Sequence, residues 1–510
     1  MIQCRIDVYS HGVKFSHMTP SVRRQIMQYC RENLVHTKRR WDYRRKRYIS
    51  ETDRVYAFSP SDRRYVMFNR CRYANVMAFL ASGGIREQDV VVTTHLPSRG
   101  VRERFEIVDR FTDRDYQLPI IEFGKDPDKS VTVIPVQTGR GKTYMALRIA
   151  QILGRRFAIL CLATYTGKWL ADVLATYKID ESDINVIVGA ANIEKAIILA
   201  KKGEYDYPVT IFSLETIDSY IKTTELTGTS ISHSCAADLF KLLGIGLCIK
   251  DEVHQHFYQV YRQDTYMNCF KNVYLSATLI PDDEFMKGLF LDIWPMDSRY
   301  NNLAYVKYID VQALQYNISG IKDYQWQRNK AYSQDQFETT LLKYPDAMDS
   351  FLDMIDTEAT RLYRNEKVDG DKLLIYADKV AMCNVLAERM RKSYPDLTVN
   401  TFNGSDDYSV IQTSDITIST PVKAGAAVDV PKLRRVLSIS MSASRMRNEQ
   451  MLGRLRERED GKDVIYSYVY TPNITKHTEY HNKLKEIFSN KTKTHVVRHT
   501  GYTVSLNPQK

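Results

Sequence analysis

No stretch of the 510-residue sequence approaches the roughly 20 consecutive apolar residues that a membrane-spanning helix requires, so no membrane association is expected. The first residues, MIQCRIDVYSHG, alternate polar and apolar positions and show neither a basic n-region nor an apolar stretch behind it. A secretory signal is therefore not expected, and a cytoplasmic location is. Paired cysteines are missing too. Cys4, Cys30, Cys71, Cys161, Cys235, Cys248, Cys269 and Cys383 are scattered, mostly among apolar neighbours, with no Cys-x-x-Cys spacing. That usage reads as reduced, buried thiols and argues against structural zinc or an iron-sulfur cluster. Short-period repeats and low-complexity tracts are also lacking. What remains, 44% hydrophobic and 26% charged residues, is the composition of a globular protein, and the length calls for two or three domains.

Charge is distributed unevenly. Residues 1–100 hold 19 Lys+Arg against 8 Asp+Glu, which accounts for the whole net charge of +11; the remaining 53 (72 − 19) and 53 (61 − 8) cancel. A basic module on a neutral body is the electrostatic footprint of a nucleic-acid anchor, whose affinity comes from phosphate neutralisation and counterion release. A solvated basic face serving solubility is the alternative. The densest run, Lys38, Arg39, Arg40, Arg44, Arg45, Lys46 and Arg47, surrounds Trp41 and Tyr43. Such a run can track a phosphate backbone while a ring stacks on a base, or the two aromatics can form the inner side of a hairpin.

Periodicity divides the chain into three parts. Residues 1–104 read as a small basic α+β domain, with strands at 2–9, 43–58 and 64–69 and helices at 19–34 and 71–82. Beyond it, β-rich runs alternate with helical ones: VTVIPVQ, TYMALRIAQIL and RFAILCLAT in residues 105–298, then KLLIYAD, VAMCNVLAERMRKS, LTVNTFN, DITIST and RRVLSIS in residues 299–510. Alternating strand and helix predicts parallel sheets covered on both faces, so the fold class is α/β with two tandem domains. Residues 311–350, polar and weakly periodic, read as an insertion or an early helix of the last domain.

The sharpest local signal is Val136-Gln137-Thr138-Gly139-Arg140-Gly141-Lys142-Thr143, directly behind an apolar strand and directly ahead of a helix. It matches a phosphate-binding loop except that Val136 stands at the position of the first glycine. Glycines let backbone N–H groups curl toward the β- and γ-phosphates, Lys142 supplies positive charge, and the Thr143 hydroxyl can ligate magnesium. An apolar stretch then delivers Asp251 and Glu252 within LCIKDEVH, and a second ends in Leu275-Ser276-Ala277-Thr278. Asp251 is expected to hold magnesium and Glu252 to polarise the attacking water.

In order, VQTGRGKT, DEVH and SAT resemble superfamily 2 helicases of the DExH type, and the resemblance extends over about residues 110–470. It implies two RecA-like domains, ATP and Mg2+ as cofactors, and nucleic acid as partner. Tyr116 and Gln117 are similar to the adenine-reading element, with Thr138, Gly139, Arg140, Gly141, Lys142 and Thr143 around the phosphates. Thr164 and Trp169 resemble the first strand-gripping motif, and Ser213 and Thr216 the second. LLIYADK resembles the fourth motif and TISTPVKAGAAVD the fifth, in which Thr420 and Lys423 touch the tracked strand while Gly425 and Asp429 couple that contact to the nucleotide. Gln450, Arg454 and Arg456 lie in a segment similar to the sixth, which supplies arginines across an interdomain cleft. Where many relatives carry a second arginine three residues after the first, this sequence has Glu457, so Arg454 is the expected finger. His254, fourth letter of DEVH, is expected to relay phosphate status toward Ser276, Ala277 and Thr278. Tyr258, Trp294, Tyr324 and Trp326 are read as core or interdomain packing, ahead of a strand-separating wedge.

A compact basic module ahead of such a core is similar to phage UvsW-type branch-migration helicases and, more distantly, to RecG-like enzymes. That likeness implies forks, displacement loops and four-way junctions as substrates in recombination, replication and repair. It also implies a monomer in the host cytoplasm, with recombination or replication proteins as further partners. Three other readings stay open: a DExH RNA helicase, an ATP-switched binding or annealing protein with a degenerate motor, and a restriction-type translocase subunit, which would need a nuclease or methylase partner.

Overall fold

The computed structural model describes residues 2–42, 47–58, 65–136, 139–226, 230–276, 284–302, 306–320, 325–404, 406–407, 409–424, 430–458 and 460–506, with side chains left aside at 38–42, 51, 58 and 226. The chain divides into two compact units, Met1–Leu303 and Ala304–Lys510. Among the described residues no helix is long and apolar enough to cross a membrane.

The first unit opens with a mixed sheet of order β5-β6-β2-β1-β7, built from β1 (Cys4–Val8), β2 (Gly12–Ser16), β5 (Tyr56–Phe58), β6 (Tyr65–Asn69) and β7 (Val90–Thr94). Against it lies the helix Pro20–Asn33. Its start is set by the Thr19 hydroxyl, which accepts from the Val22 N–H, and by a proline in the first turn. Val22, Ile26, Tyr29 and Cys30 recur at helical spacing and form its buried stripe. Lys38, Arg39, Arg40 and Arg47 of the basic run fall on a separate antiparallel ribbon, β3 (Val35–Asp42) paired with β4 (Arg47–Arg54) in register from Val35↔Arg54 to Asp42↔Arg47. The sequence suggested one strand over 43–58. Residues 35–42 escape that reading because four charged side chains interrupt the apolar alternation on which a strand assignment depends.

This module does not have a core of its own. Ile6, Phe15, Val22 and Phe68 belong to the same apolar cluster as Tyr261, Met267 and Trp294 of the following α/β part. Polar ties cross the same boundary: the Asn272 amide donates to His11 Nε2 at 3.0 Å, the Ser10 N–H to Asn268 Oδ1 at 2.9 Å, and Arg72 pairs with Asp292. Contact is close enough that a Cβ on Gly12 would sit 1.9 Å from the Thr265 carbonyl oxygen, so no other residue fits there.

The α/β part of the first unit holds β8 (Val131–Ile134), β9 (Phe157–Cys161), β10 (Ile184–Ile187), β11 (Val209–Ser213), β12 (Leu247–Lys250) and β13 (Lys271–Leu275), all parallel in the order β10-β11-β9-β12-β13-β8. β9, β11, β12 and β13 are buried along their whole length, as strands covered on both faces are.

The second unit repeats the plan. β14 (Ile309–Ser319), β17 (Lys372–Tyr376), β18 (Val399–Phe402), β19 (Ile416–Ser419), β20 (Leu433–Ser438), β21 (Val464–Tyr470) and β22 (Thr494–Ser505) form a sheet of order β18-β19-β17-β20-β21-β14-β22, parallel throughout. A small ribbon joins β15 (Gln327–Arg328) to β16 (Ala331–Tyr332). Two tandem RecA-like α/β units are thus present. Residues 311–350 correct the expectation of an insertion: β14 lies inside the sheet, and the helices Gln334–Lys343 and Pro345–Leu362 follow. Gln312 and Gln315 interrupt the apolar pattern that marks a buried strand, and Gln312 accepts from Arg361 at 2.7 Å.

Candidate active site

Every strand of the first α/β sheet points the same way, so all carboxyl ends meet at one edge, where ligands of such sheets bind. β13 lies between β8 and β12, and the segments leaving these three strands carry the glycine-rich loop, the acidic pair and Ser276. Gly139 and Gly141 have φ of 85° and 76°, the left-handed region that a side chain disfavours. Gly141 opens the helix Lys142–Leu153, whose first N–H groups lack intrahelical partners and face the loop. A Cβ on Gly141 would lie 2.6 Å from Gln117 Nε2. Gln117 and Tyr116 both reach the loop: the Gln117 amide donates to the Arg140 carbonyl at 3.4 Å, the Tyr116 hydroxyl to the same oxygen at 3.3 Å, and the Arg140 guanidinium covers the Tyr116 ring at 4.1 Å.

Lys142 Nζ donates to Glu252 Oε1 at 2.8 Å, bringing together residues 110 apart in sequence. Glu252 has a φ of 45°, unusual for a residue with a side chain, and sits where the chain turns sharply out of β12. Asp251 accepts two hydrogen bonds, one from the Glu252 N–H at 2.9 Å and one from the Trp169 indole N–H at 2.9 Å. Burial, with the Glu252 carboxylate alongside, pushes the Asp251 carboxyl up to about 6, while Lys142 and the indole act in the opposite direction. His254 Nδ1 lies 3.0 Å from Ser276 Oγ and 3.3 Å from Glu252 Oε2. Burial drives this imidazole down to about 4, so it is neutral at physiological pH. Thr143 is half-buried in the first turn of the helix.

No family model matches the sequence, and no curated protein does. Some solved structures are similar in part. Mss116p bound to ssRNA and AMP-PNP matches with a TM-score of 0.47 and 16% identity, over 77% of this chain and 73% of that one. The Pyrococcus furiosus Hef helicase domain matches with a TM-score of 0.44 and 13% identity, over 72% and 97%. S. cerevisiae Dbp5 bound to RNA and ADP BeF3 matches with a TM-score of 0.44 and 12% identity, over 76% and 93%. These likenesses concern fold, and activity is argued from the site itself.

Several residues expected to grip a strand are engaged elsewhere. Trp169 is 1% exposed with its indole turned onto Asp251, so it does not face a strand. Ser213 and Thr216 are buried and spend their hydroxyls on capping. Ser213 Oγ accepts from the Thr216 N–H at 3.1 Å and donates to Thr216 Oγ1, which also accepts from the Gly189 N–H at 3.0 Å. Thr164 is exposed as expected, and its neighbour Lys168, unnoticed in the sequence, is exposed on the same turn. In the second unit the Lys423 ammonium donates to the carbonyls of Gly404 and Asp406 at 2.9 and 3.2 Å. Thr420 takes part in the same turn through its backbone bond to Asn403 Oδ1.

The sixth-motif segment is the end of the helix Arg445–Leu452. Gln450 is half-buried, and its carbonyl accepts from Arg454 Nε at 3.2 Å. Arg454 is 4% exposed, whereas Arg456 is half-buried and donates to the Gly453 carbonyl at 2.8 Å. Arg458 is committed to structure, paired with Asp371 at 3.0 Å and with Asp460. Trp294 and Trp326 are core residues, and Tyr258 stacks on Phe285. Thr138, Ala277, Thr278, Tyr324, Gly425, Asp429, Arg44, Arg45 and Lys46 lie outside the described residues, as do the side chains of Arg39 and Arg40; Arg47 is exposed.

Proposed function

We propose that this protein is an ATP-hydrolysing nucleic-acid motor of the superfamily 2 helicase type that unwinds or branch-migrates branched DNA. The observation that carries the reading is the convergence of Lys142, Glu252 and Asp251 behind a loop whose two glycines hold left-handed backbone at a helix N-terminus. Phosphates are attracted there by free N–H groups, the helix dipole and the Lys142 charge. Tyr116 and Gln117, pinned to the same loop, stand where a base can be read. Magnesium fits the donor set: Asp251 keeps a lone pair on each oxygen, Thr143 offers a hydroxyl, and substrate phosphates complete such sites. The ion would neutralise charge on the β- and γ-phosphates. Glu252 orients the attacking water once Lys142 turns to the phosphates, and Arg454 serves as the arginine finger, with Arg456 as the second arginine. His254 links Glu252 to Ser276 and so ties the nucleotide site to the segment leaving β13.

Nucleic acid is assigned chiefly to the basic module and its β3–β4 ribbon. The shared core carries that charge as part of the first motor unit, which suits a duplex arm held while the motor pulls. Recombination, replication and repair in a cytoplasm, by a monomer with recombination or replication partners, complete the proposal.

The test measures ATP turnover and strand displacement on single strands, linear duplexes, forks and four-way junctions of one base sequence, in DNA and in RNA, with Lys142→Ala as control. Branched DNA should stimulate most. RNA stimulation equal to or above DNA would move the assignment to an RNA helicase. Binding or annealing that persists unchanged in Lys142→Ala, with no ATP-dependent strand displacement by the wild type, would leave only an ATP-switched binding protein.

A further inference from the structure

Trp169 is buried with its indole turned onto the Asp251 carboxylate. The parallel register pairs Lys250 with Leu160, and the Asp251 N–H donates to the Leu160 carbonyl at 3.0 Å. The end of β12 therefore lies beside the end of β9. The chain leaving β9 turns into the helix Thr166–Thr176, whose inner face carries Trp169, Val173 and Thr176. This topology delivers the indole to a carboxylate 82 residues away, 2.9 Å from Oδ2. The Glu252 N–H holds Oδ1. A carboxylate with one donor fixed on each oxygen cannot spin about its Cβ–Cγ bond, and its two free lone pairs keep one direction. An indole N–H donates and never accepts, so it neither competes for a cation nor titrates. A buried tryptophan also needs a partner for that N–H, which makes the pair mutually stabilising.

We propose that Trp169 is a positioning residue that holds Asp251 in the orientation required to bind magnesium with the nucleotide. This role rests on the ATP-site reading above. Without the indole, Asp251 is free to turn toward Lys142, which already acts on it electrostatically, and so to leave the metal. Partners of this kind tune metal affinity by about 10- to 100-fold.

Nucleotide binding without turnover tests it. ADP affinity is measured by calorimetry with and without Mg2+ for the full chain, for Trp169→Phe, and for a protein with benzothienylalanine at position 169, which keeps the bicyclic shape and lacks the N–H. Both altered proteins should bind metal-free ADP like the wild type, and the tightening produced by Mg2+ should fall about tenfold. The benzothienylalanine protein guards against a folding defect in the phenylalanine variant. Unchanged tightening in the isosteric protein overturns the positioning role and leaves the ATP site intact. Wild-type protein that binds no nucleotide overturns both.

Discussion

Replacing Lys142 with Ala, Glu252 with Gln, and both together asks whether loop lysine and acidic pair form one electrostatic unit before nucleotide arrives. Their atoms are 2.8 Å apart, with side-chain exposures of 9% and 14%. Unit charges about 4 Å apart attract by about 4 kcal/mol at an effective dielectric of about 20. Part of that offsets lost hydration, so a coupling of about 2 kcal/mol is expected. Lys142→Ala leaves two adjacent carboxylates without their cation and should cost about 3 kcal/mol. Glu252→Gln should cost only about 1 kcal/mol, because the Asp251 carboxylate still acts on the ammonium electrostatically. The double variant should lose about 2 kcal/mol, well short of the sum. Thermal unfolding reads the cycle through the transition that added ATP shifts upward. A second consequence concerns affinity: with no glutamate to leave, Lys142 reaches the phosphates at lower cost, so Glu252→Gln should bind ATP up to about thirtyfold more tightly while turnover collapses. Additive losses, within about 0.5 kcal/mol, together with unaltered ATP affinity, would refute the coupling.

Arg454→Ala should lower ATP turnover by about three decades and leave fluorescent-ATP binding within a few-fold of wild type. Arg458→Ala should instead cost about 1–2 kcal/mol of stability, read by melting, with turnover nearly intact, since it strips one partner from the buried Asp371. His11 and His477 are both held down to about 3 by burial. The unfolded chain takes up protons near 6.5 while the folded one does not, so stability falls as pH drops below 6.5. Each histidine should cost about 2 kcal/mol at pH 5. Melting from pH 7 to pH 5 checks this, and His477→Gln should flatten the slope; an equal slope would count against it. Replacing Lys38, Arg39, Arg40 and Arg47 with Gln should reduce the salt dependence of duplex DNA binding by up to about 4 in slope. An unchanged slope would remove the ribbon from the nucleic-acid interface.

Much of the fold was legible because parallel strands buried on both faces leave long apolar runs, such as FAILC and VTIFS, at nearly regular spacing. The shape of the glycine-rich loop was legible for a similar local reason: its left-handed glycines, Lys142 and Thr143 are neighbours in sequence as well as in space. Side-chain direction was not. Ser213 looks like a phosphate contact in sequence, yet its hydroxyl is buried, accepting from the Thr216 N–H and donating to Thr216 Oγ1. The turn of the Trp169 indole onto Asp251 was not legible, because nothing local records that β9 runs beside β12. The shared core of the basic module was equally invisible, since Gly12 against Thr265 is a coincidence of positions 253 residues apart. β14 was missed because glutamines, each with a polar partner in the fold, disguised it.

β14 also sets a condition on synthesis. It is the first strand of the second sheet in sequence, yet its neighbours are β21 and β22, formed by residues 464–470 and 494–505. As the chain leaves the ribosome, residues 309–319 must wait with both backbone edges bare until residues 464–470 have appeared, and with one edge bare until residues 494–505 follow. Loop closure over such a span is slow, and bare strand edges invite foreign partners. Until then that strand depends on something other than its final neighbours, a chaperone or the transient packing of its own helices, to keep its edges from foreign chains.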